Sequence, residues 1–289
     1  MQHLGAGVLL ALVSRFSPVL WLHPQERYMP SSLEEYASHT RLWCNDTLQA
    51  DLPAMNASDP GVREAWARRA RGRAGCAARP DASPRLRAGA PPEQLDRRAP
   101  VYVYVQTYPG FVEARYIYFY PYNGAYNLLH FFHYLDVSYG EHYIDLEHIT
   151  LRFARAGAGG VALDRVYFAA HTRQEGVWAR PADIEWIDGH PVAYVAYGGH
   201  GAYPRPGVYP RIFGLASDFC GAGRLWRPRV VVVNGAERGR GAPRGPPLPG
   251  DPFAKLRAMT LGAPGAETNR STSFVRRLMY LYPENLGAG

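Results

Sequence analysis

From Pro100 onward the chain alternates apolar and aromatic residues with a period of two, and few folds accept that pattern. Val101-Tyr-Val-Tyr-Val105 and Glu113-Ala-Arg-Tyr-Ile-Tyr-Phe-Tyr120 flank Pro109-Gly110. β-Branched and aromatic residues suit a pleated, half-buried surface, and Pro-Gly marks a turn. The two runs predict a hairpin. Further strands are expected over 145–153, 161–171, 184–186, 191–196 and 229–233, with turns at 157–160 and near Gly189. Short strands joined by turns, with no helices between them, point to a mainly β protein built as an antiparallel β-sandwich. Short helices are expected only near the two ends. No Walker A loop, dinucleotide fingerprint or GxSxG elbow interrupts the pattern.

Four segments are expected. Residues 1–44 form an N-terminal helical and extended cap. Residues 45–99 form an Ala/Arg/Pro-rich insert, partly helical and partly disordered. Residues 100–235 carry the sandwich, and 236–289 hold a Gly/Pro-rich loop and a helix over 271–282. The apolar run Gly5–Val13 is too short for a membrane span and has no basic stretch before it,. It predicts a short buried helix ending at Pro18. Without a signal peptide or transmembrane helix in sight, the expected location is intracellular, cytoplasmic or peripheral to a membrane.

The formal net charge is +7, and Lys255 is the lone lysine among 32 basic residues. Ten arginines fall between Arg63 and Arg98. No aromatic platform accompanies them, so they are expected to be a solvated surface, and no sequence-specific nucleic-acid binding is expected. Three cysteines, Cys44, Cys76 and Cys220, include no CxxC pair. A zinc ribbon is excluded, and a reducing compartment without a disulfide framework is expected, with Cys44–Cys76 the one bridge left open.

Chemistry concentrates in His142-Tyr-Ile-Asp145-Leu-Glu147-His148. Alternate residues of a strand face one side, so Asp145 and Glu147 point the same way. His142 lies three residues earlier, where a turning chain can bring it to the carboxylate side. Two carboxylates and an imidazole suit a hard divalent cation, Ca²⁺, Mg²⁺ or Mn²⁺; the alternative is a polar strand face in water. Two more histidines follow strands, His171 in Phe168-Ala-Ala-His171 and His200 in Gly198-Gly-His-Gly-Ala-Tyr203. If the strand ends converge, His171, His200, Tyr203 and Asp218 line one ligand-binding pocket with Asp145 and Glu147. His171 and His200 are then the candidate general bases; the bland reading makes them loop-corner hydrogen-bonders.

Five strings in order resemble the vacuolar protein sorting-associated protein 62 family. They are Ser17-Pro-Val-Leu-Trp-Leu-His-Pro-Gln-Glu26, Tyr120-Pro-Tyr-Asn-Gly124, His142–His148, Ala170-His171 and Gly199-His-Gly-Ala-Tyr-Pro204. The central string is also similar to the Gly-His-Arg-His-Asp-Trp-Glu heptapeptide of necrosis-inducing secreted toxins. That second resemblance implies a β-sandwich with a divalent cation near a membrane-binding end. It assigns His142, Asp145 and Glu147 as ligands, with Asn123 where the toxins tend to have an acidic ligand. Against the first family's His-x-Gly-Asp-Trp-Glu-His pattern, Ile144 stands in place of a glycine; against both families, Leu146 stands in place of a tryptophan.

The expected function is a divalent-cation-dependent binding module for a lipid headgroup or glycan, at a membrane surface or on a glycan partner. The first resemblance implies a link to vacuolar sorting. One alternative is a metal-dependent hydrolase using His171 or His200 as general base; another is a scaffold with a stabilising cation site. No nucleophile with its own base is apparent, which weighs against an enzyme.

Overall fold

The computed structural model describes residues 6–56, 59–71, 75–81, 83–128, 137–156, 160–171, 175–211 and 216–233. In chain order the elements are α1 (Ala6–Arg15), β1 (Val19–Leu22), α2 (Leu33–Ser38), β2 (Thr40–Cys44), β3 (Thr47–Leu48), α3 (Pro60–Ala70), β4 (Cys76–Pro80), α4 (Pro84–Ala88), α5 (Leu95–Arg98), β5 (Val101–Thr107), β6 (Phe111–Asn123), β7 (Tyr126–Leu128), β8 (Val137–Tyr139), β9 (His142–Arg155), β10 (Val161–Phe168), β11 (Val177–Ala179), β12 (Trp186–Ile187), β13 (His190–Val195), β14 (Ala202–Tyr203), β15 (Gly207–Arg211), β16 (Ala216–Cys220), β17 (Arg224–Trp226) and β18 (Val230–Val233). The described residues divide into a larger unit, 6–32 with 83–233, and a smaller one, 33–81.

The larger unit is a β-sandwich. Its six-stranded sheet runs β11-β10-β9-β6-β5-β18, and the second sheet runs β12-β13-β1-β17 with β14 on β13. The predicted hairpin is β5–β6, with Thr107 opposite Val112. β6 and β9 pair from Phe111–Ala154 to Asn123–His142. The period-2 pattern is the packing pattern. Val101, Val103 and Val105, then Val112, Ala114, Tyr116, Tyr118 and Tyr120, then Ile149, Leu151 and Phe153, all enter one core. The second sheet contributes Leu20, Leu22, Ala193, Val195 and Trp226. Fully burying such a side chain contributes about 1.5–3 kcal/mol, so the interleaved inner faces hold the two sheets together.

Two pairings depart from the antiparallel expectation. β1 runs parallel to β13, and β18 runs parallel to β5. Both join segments far apart in the chain, where no tight turn dictates direction. The N-terminal segment is helical, but it is not a buried helix. Val13 faces the core, and Val8 and Leu10 are exposed. The Tyr116 hydroxyl donates to the Val13 carbonyl at 2.8 Å, tying the end of α1 to the sheet.

The smaller unit has a three-stranded sheet, β3-β2-β4, and the helix α3. Pro60 opens α3, and the Asp59 carboxylate accepts from the Gly61 and Val62 amides,. Strand β4, in a stretch where no strand was expected, corrects that reading. It lays Cys76 directly opposite Cys44, and the two form a disulfide. The expectation of no disulfide framework is thereby corrected: antiparallel pairing supplies the proximity that the spacing of 32 residues did not reveal. Residues 84–98 belong to the larger unit, where Leu95 and Ala99 join its core. The expected Gly/Pro-rich tail and the helix over 271–282 lie outside the described residues.

Candidate functional site

The inner face of β9 changes chemistry along its length. Phe153, Leu151 and Ile149 are apolar, and the next two inward positions are Glu147 and Asp145. Both carboxylates are buried. Across the ladder Tyr118 pairs with Glu147 and Tyr120 with Asp145. One end of the sandwich core is therefore acidic. Buried charge is costly unless paired, and the partners come from three other segments.

His200 is the first partner. It sits in a closed turn where its own amide donates to Ala196 O and the Ala196 amide donates to Gly201 O. Its φ is +58°, in the left-handed region, beside Gly198 at +69°,. The imidazole is fully buried and stacks on the Tyr120 ring at 3.8 Å, 7° from parallel. Its Nδ1 lies 2.9 Å from Asp145 Oδ2. Its Nε2 faces Glu26 Oε1 at 3.8 Å and has no hydrogen-bond partner. Glu26 is itself held by backbone amides: Arg27 and Tyr28 donate to Oε1 and Gly198 donates to Oε2, each at 2.8 Å. Burial alone lowers the His200 pKa; Asp145 and Glu26 outweigh it and raise it to about 10. Burial likewise pushes Glu26 up, but His200 and the donated amides hold it below its ordinary value.

A second set closes the same end. Asp218 of β16 is fully buried. Its Oδ2 accepts from the Tyr203 hydroxyl at 2.5 Å and from His171 Nε2 at 2.7 Å. Its Oδ1 lies 3.9 Å from Arg211 Nη1 and has no hydrogen-bond partner. Arg211 in turn donates from Nε to Glu175 at 2.8 Å. Burial raises the Asp218 pKa; His171, Tyr203 and Arg211 more than offset it. Gly201 lies against this pair, since a Cβ there would stand 3.2 Å from His171 Nε2.

Glu147 feels both sets. Burial first, then Asp145 and Asp218, raise its pKa well above the ordinary value against His200 and Arg211. It is the carboxyl of the cluster that favours its neutral form, and a cation beside it would reverse that preference.

The structure thus brings together Asp145, Glu147, His171, His200, Tyr203 and Asp218 of the expected residues. It does not bring in His142 or Asn123. His142 is exposed at the strand end, opposite Asn123 in the ladder. The Asn123 amide nitrogen donates to the carbonyls of Gly124 and Gly140 and so secures the neighbouring turns. Among the described residues no three His, Cys, Asp or Glu side chains are placed to hold one metal ion. The four-ligand set does not fit this geometry; the buried oxygens of Asp145 and Glu147 retain the chemistry that a hard cation takes. Glu26, Tyr120 and Arg211 are the participants that the motif left out. Glu26 had a signal, since it closes the His23-Pro-Gln-Glu26 string.

Fold and site together describe a β-sandwich with a charged, partly unsatisfied cluster buried at one end, where Asp145 and Glu147 keep slight exposure. Residues 95–216 match the family model for vacuolar protein sorting-associated protein 62, which bears out the first resemblance. No curated protein matches the chain. Among solved structures the chain is similar to necrosis-inducing proteins. The "Toxin fold for microbial attack and plant defense" is 16% identical, with 80% of this chain and 76% of that chain covered and a TM-score of 0.37. "NLPPya in complex with glucosamine" is 14% identical, with 80% and 76% covered and a TM-score of 0.37. Necrosis and Ethylene inducing Protein 2 from the causal agent of cocoa's Witches Broom disease is 14% identical, with 76% and 72% covered and a TM-score of 0.35.

Proposed function

We propose that this chain is a binding module whose acidic sandwich end recognises a polar ligand, a glycan or lipid headgroup, through a divalent cation. In this reading Asp145 and Glu147 supply the protein's oxygens, and water and the ligand's hydroxyls complete the shell, as a cation held by one or two carboxylates requires. The observation that supports it is the buried acidic set itself: Glu147, raised by burial and by Asp145 and Asp218, stands near an Asp218 Oδ1 that has no hydrogen-bond partner. Native proteins rarely leave such atoms without a partner. Calorimetric titration of chelator-treated protein with Ca²⁺, Mg²⁺ and Mn²⁺ tests it. Binding by wild type and none by a folded Asp145→Ala/Glu147→Ala variant is expected; equal heats from both would contradict it. A role in vacuolar sorting belongs to the same proposal, and among the described residues no helix is long and apolar enough to cross a membrane.

A hydrolase is the second reading, and one contact favours it. His171 is paired with a buried carboxylate at 2.7 Å and is itself partly exposed. An imidazole oriented that way can take a proton from a bound water. His200, shut inside and held as a cation, cannot. Turnover on a phosphoester or glycoside panel, abolished by His171→Ala and retained by His200→Gln, is what this reading expects; silence on the whole panel counts against it.

A further inference from the structure

The arginine-rich run holds a feature that the acidic site does not use. In the smaller unit Leu52, Ala65, Arg68, Arg69 and Arg71 line a cavity of about 430 Å³. Ala65, Arg68 and Arg69 lie three and four residues apart on α3, so one face of the helix carries them. The helix ends at Arg71, whose extended backbone (φ −61°, ψ 122°) turns the chain away there. Leu52 comes from the turn beyond β3, so the cavity joins two segments.

The three arginines stand differently. Arg69 is fixed: it donates to Asp51 and to Gln49 Oε1, the latter at 2.7 Å. Arg68 touches Glu64 at 3.3 Å, one turn back, with both side chains more than 60% exposed. Such a surface pair contributes little and yields readily to a better acceptor. Arg71 is exposed. Basic residues in a last turn oppose the negative end of the helix dipole, but that does not require them to converge on a hollow. Guanidinium forks match phosphate oxygens two at a time. Leu52 and Ala65 offer a small apolar patch between the charges.

We propose that this cavity is an anion site for a small phosphorylated polyol. Arg68 and Arg71 grip its phosphate groups, Arg69 adds a fixed positive charge, and Leu52 and Ala65 meet the ring. The volume lies within the range of small-molecule sites. The proposal is independent of the acidic end of the sandwich.

The test is calorimetric titration of the full chain, disulfide intact, with three probes: inorganic phosphate, inositol trisphosphate, and phosphatidylcholine vesicles with or without its lipid-linked form. Variants are Arg68→Ala/Arg71→Ala and, as a control removing the same charge from the larger unit, Arg205→Ala/Arg224→Ala. Inositol trisphosphate is expected to bind at least tenfold more tightly than inorganic phosphate and to weaken as salt rises. The Arg68→Ala/Arg71→Ala variant, checked for an unchanged melting temperature, is expected to lose at least tenfold in affinity, and Arg205→Ala/Arg224→Ala less than twofold. Vesicle binding lost in Arg68→Ala/Arg71→Ala would assign the headgroup to a lipid; binding of the free form alone would assign it to a soluble polyol phosphate. Equal affinity in Arg68→Ala/Arg71→Ala and wild type, equal affinity for inorganic phosphate and the polyol, or no binding by folded wild type would each overturn the proposal.

Discussion

Glu26 shows how one residue outside any regular element can organise a site. Its carboxylate accepts three backbone amides and faces His200. Glu26→Gln keeps the shape but removes the charge and one acceptor. A buried amide left unpaired costs about 1–3 kcal/mol, so the melting temperature should drop by several degrees. The His200 pKa should fall from about 10, readable by NMR titration of the imidazole; an unchanged value would show that Asp145 alone holds it. Ile144 is the opposite case, a residue the motif flagged and the backbone explains. Its φ is +64°, where a β-branched residue is a steric outlier. A glycine there would meet no such strain. The alternation that placed Asp145 and Glu147 together was legible because strand geometry is local. The contact Glu26 makes was not, because its partner Gly198 lies 172 residues away in sequence.

At the scale of elements, the tyrosine-rich strands were legible and the arginine-rich stretch was not. β5, β6 and β9 carry β-branched and aromatic residues at alternate positions, and burial follows that alternation. β4 reads Cys-Ala-Ala-Arg-Pro, residues with weak strand preference; tertiary pairing with β2 and the disulfide impose its conformation. The Cys44–Cys76 bridge closes a loop of 32 residues, for which chain entropy predicts about 3–4 kcal/mol. Reduction should therefore lower the melting temperature, with hydrogen-exchange protection lost first across β2 and β4; a reductant-insensitive melt would contradict this. β9 also makes a pH prediction through its outer face. Burial, then Arg115, lowers the His148 pKa to about 3, while the unfolded chain keeps about 6.5,. Between those values the unfolded state binds the extra proton, so stability falls as pH drops, by up to about 1.4 kcal/mol per pH unit from this group. His148→Gln should flatten the acid limb of a denaturation series run from pH 7 to pH 4.

For the whole molecule, the sandwich, an apolar core through most of its depth and charged at one end, is the organising fact. The apolar part follows from the period of the sequence. The charged part needs five strands and three loops to meet, and no local pattern encodes that meeting. Parallel pairing of β1 with β13 brings the segment leading to Glu26 beside the strand that leads to His200. Opposing titrations set the pH profile. His200, raised to about 10, contributes stability that is fully present below about 6.5 and lost as pH climbs through 10,. Glu26 and Asp218, depressed, contribute stability present above about 4 and lost in stronger acid,. Glu147, whose pKa is raised, acts the other way and loses stability as pH climbs above about 4.5,, so Glu147→Gln should move the maximum of a melting series from pH 3 to pH 11 to higher pH.

On the function proposed above, a divalent cation relieves the crowding of carboxyls at the sandwich end. Glu147 favours its proton because burial and two neighbouring carboxylates oppose its charge. A cation ligated there must displace that proton. The decisive measurement is the binding heat of Ca²⁺, Mg²⁺ and Mn²⁺ at pH 6 in two buffers of different ionisation enthalpy, on wild type and Glu147→Gln. A buffer-dependent heat in wild type, reporting net proton release, is expected, with neither binding nor release in a folded Glu147→Gln. Tight binding with buffer-independent heat, or binding that survives in Glu147→Gln, would contradict it.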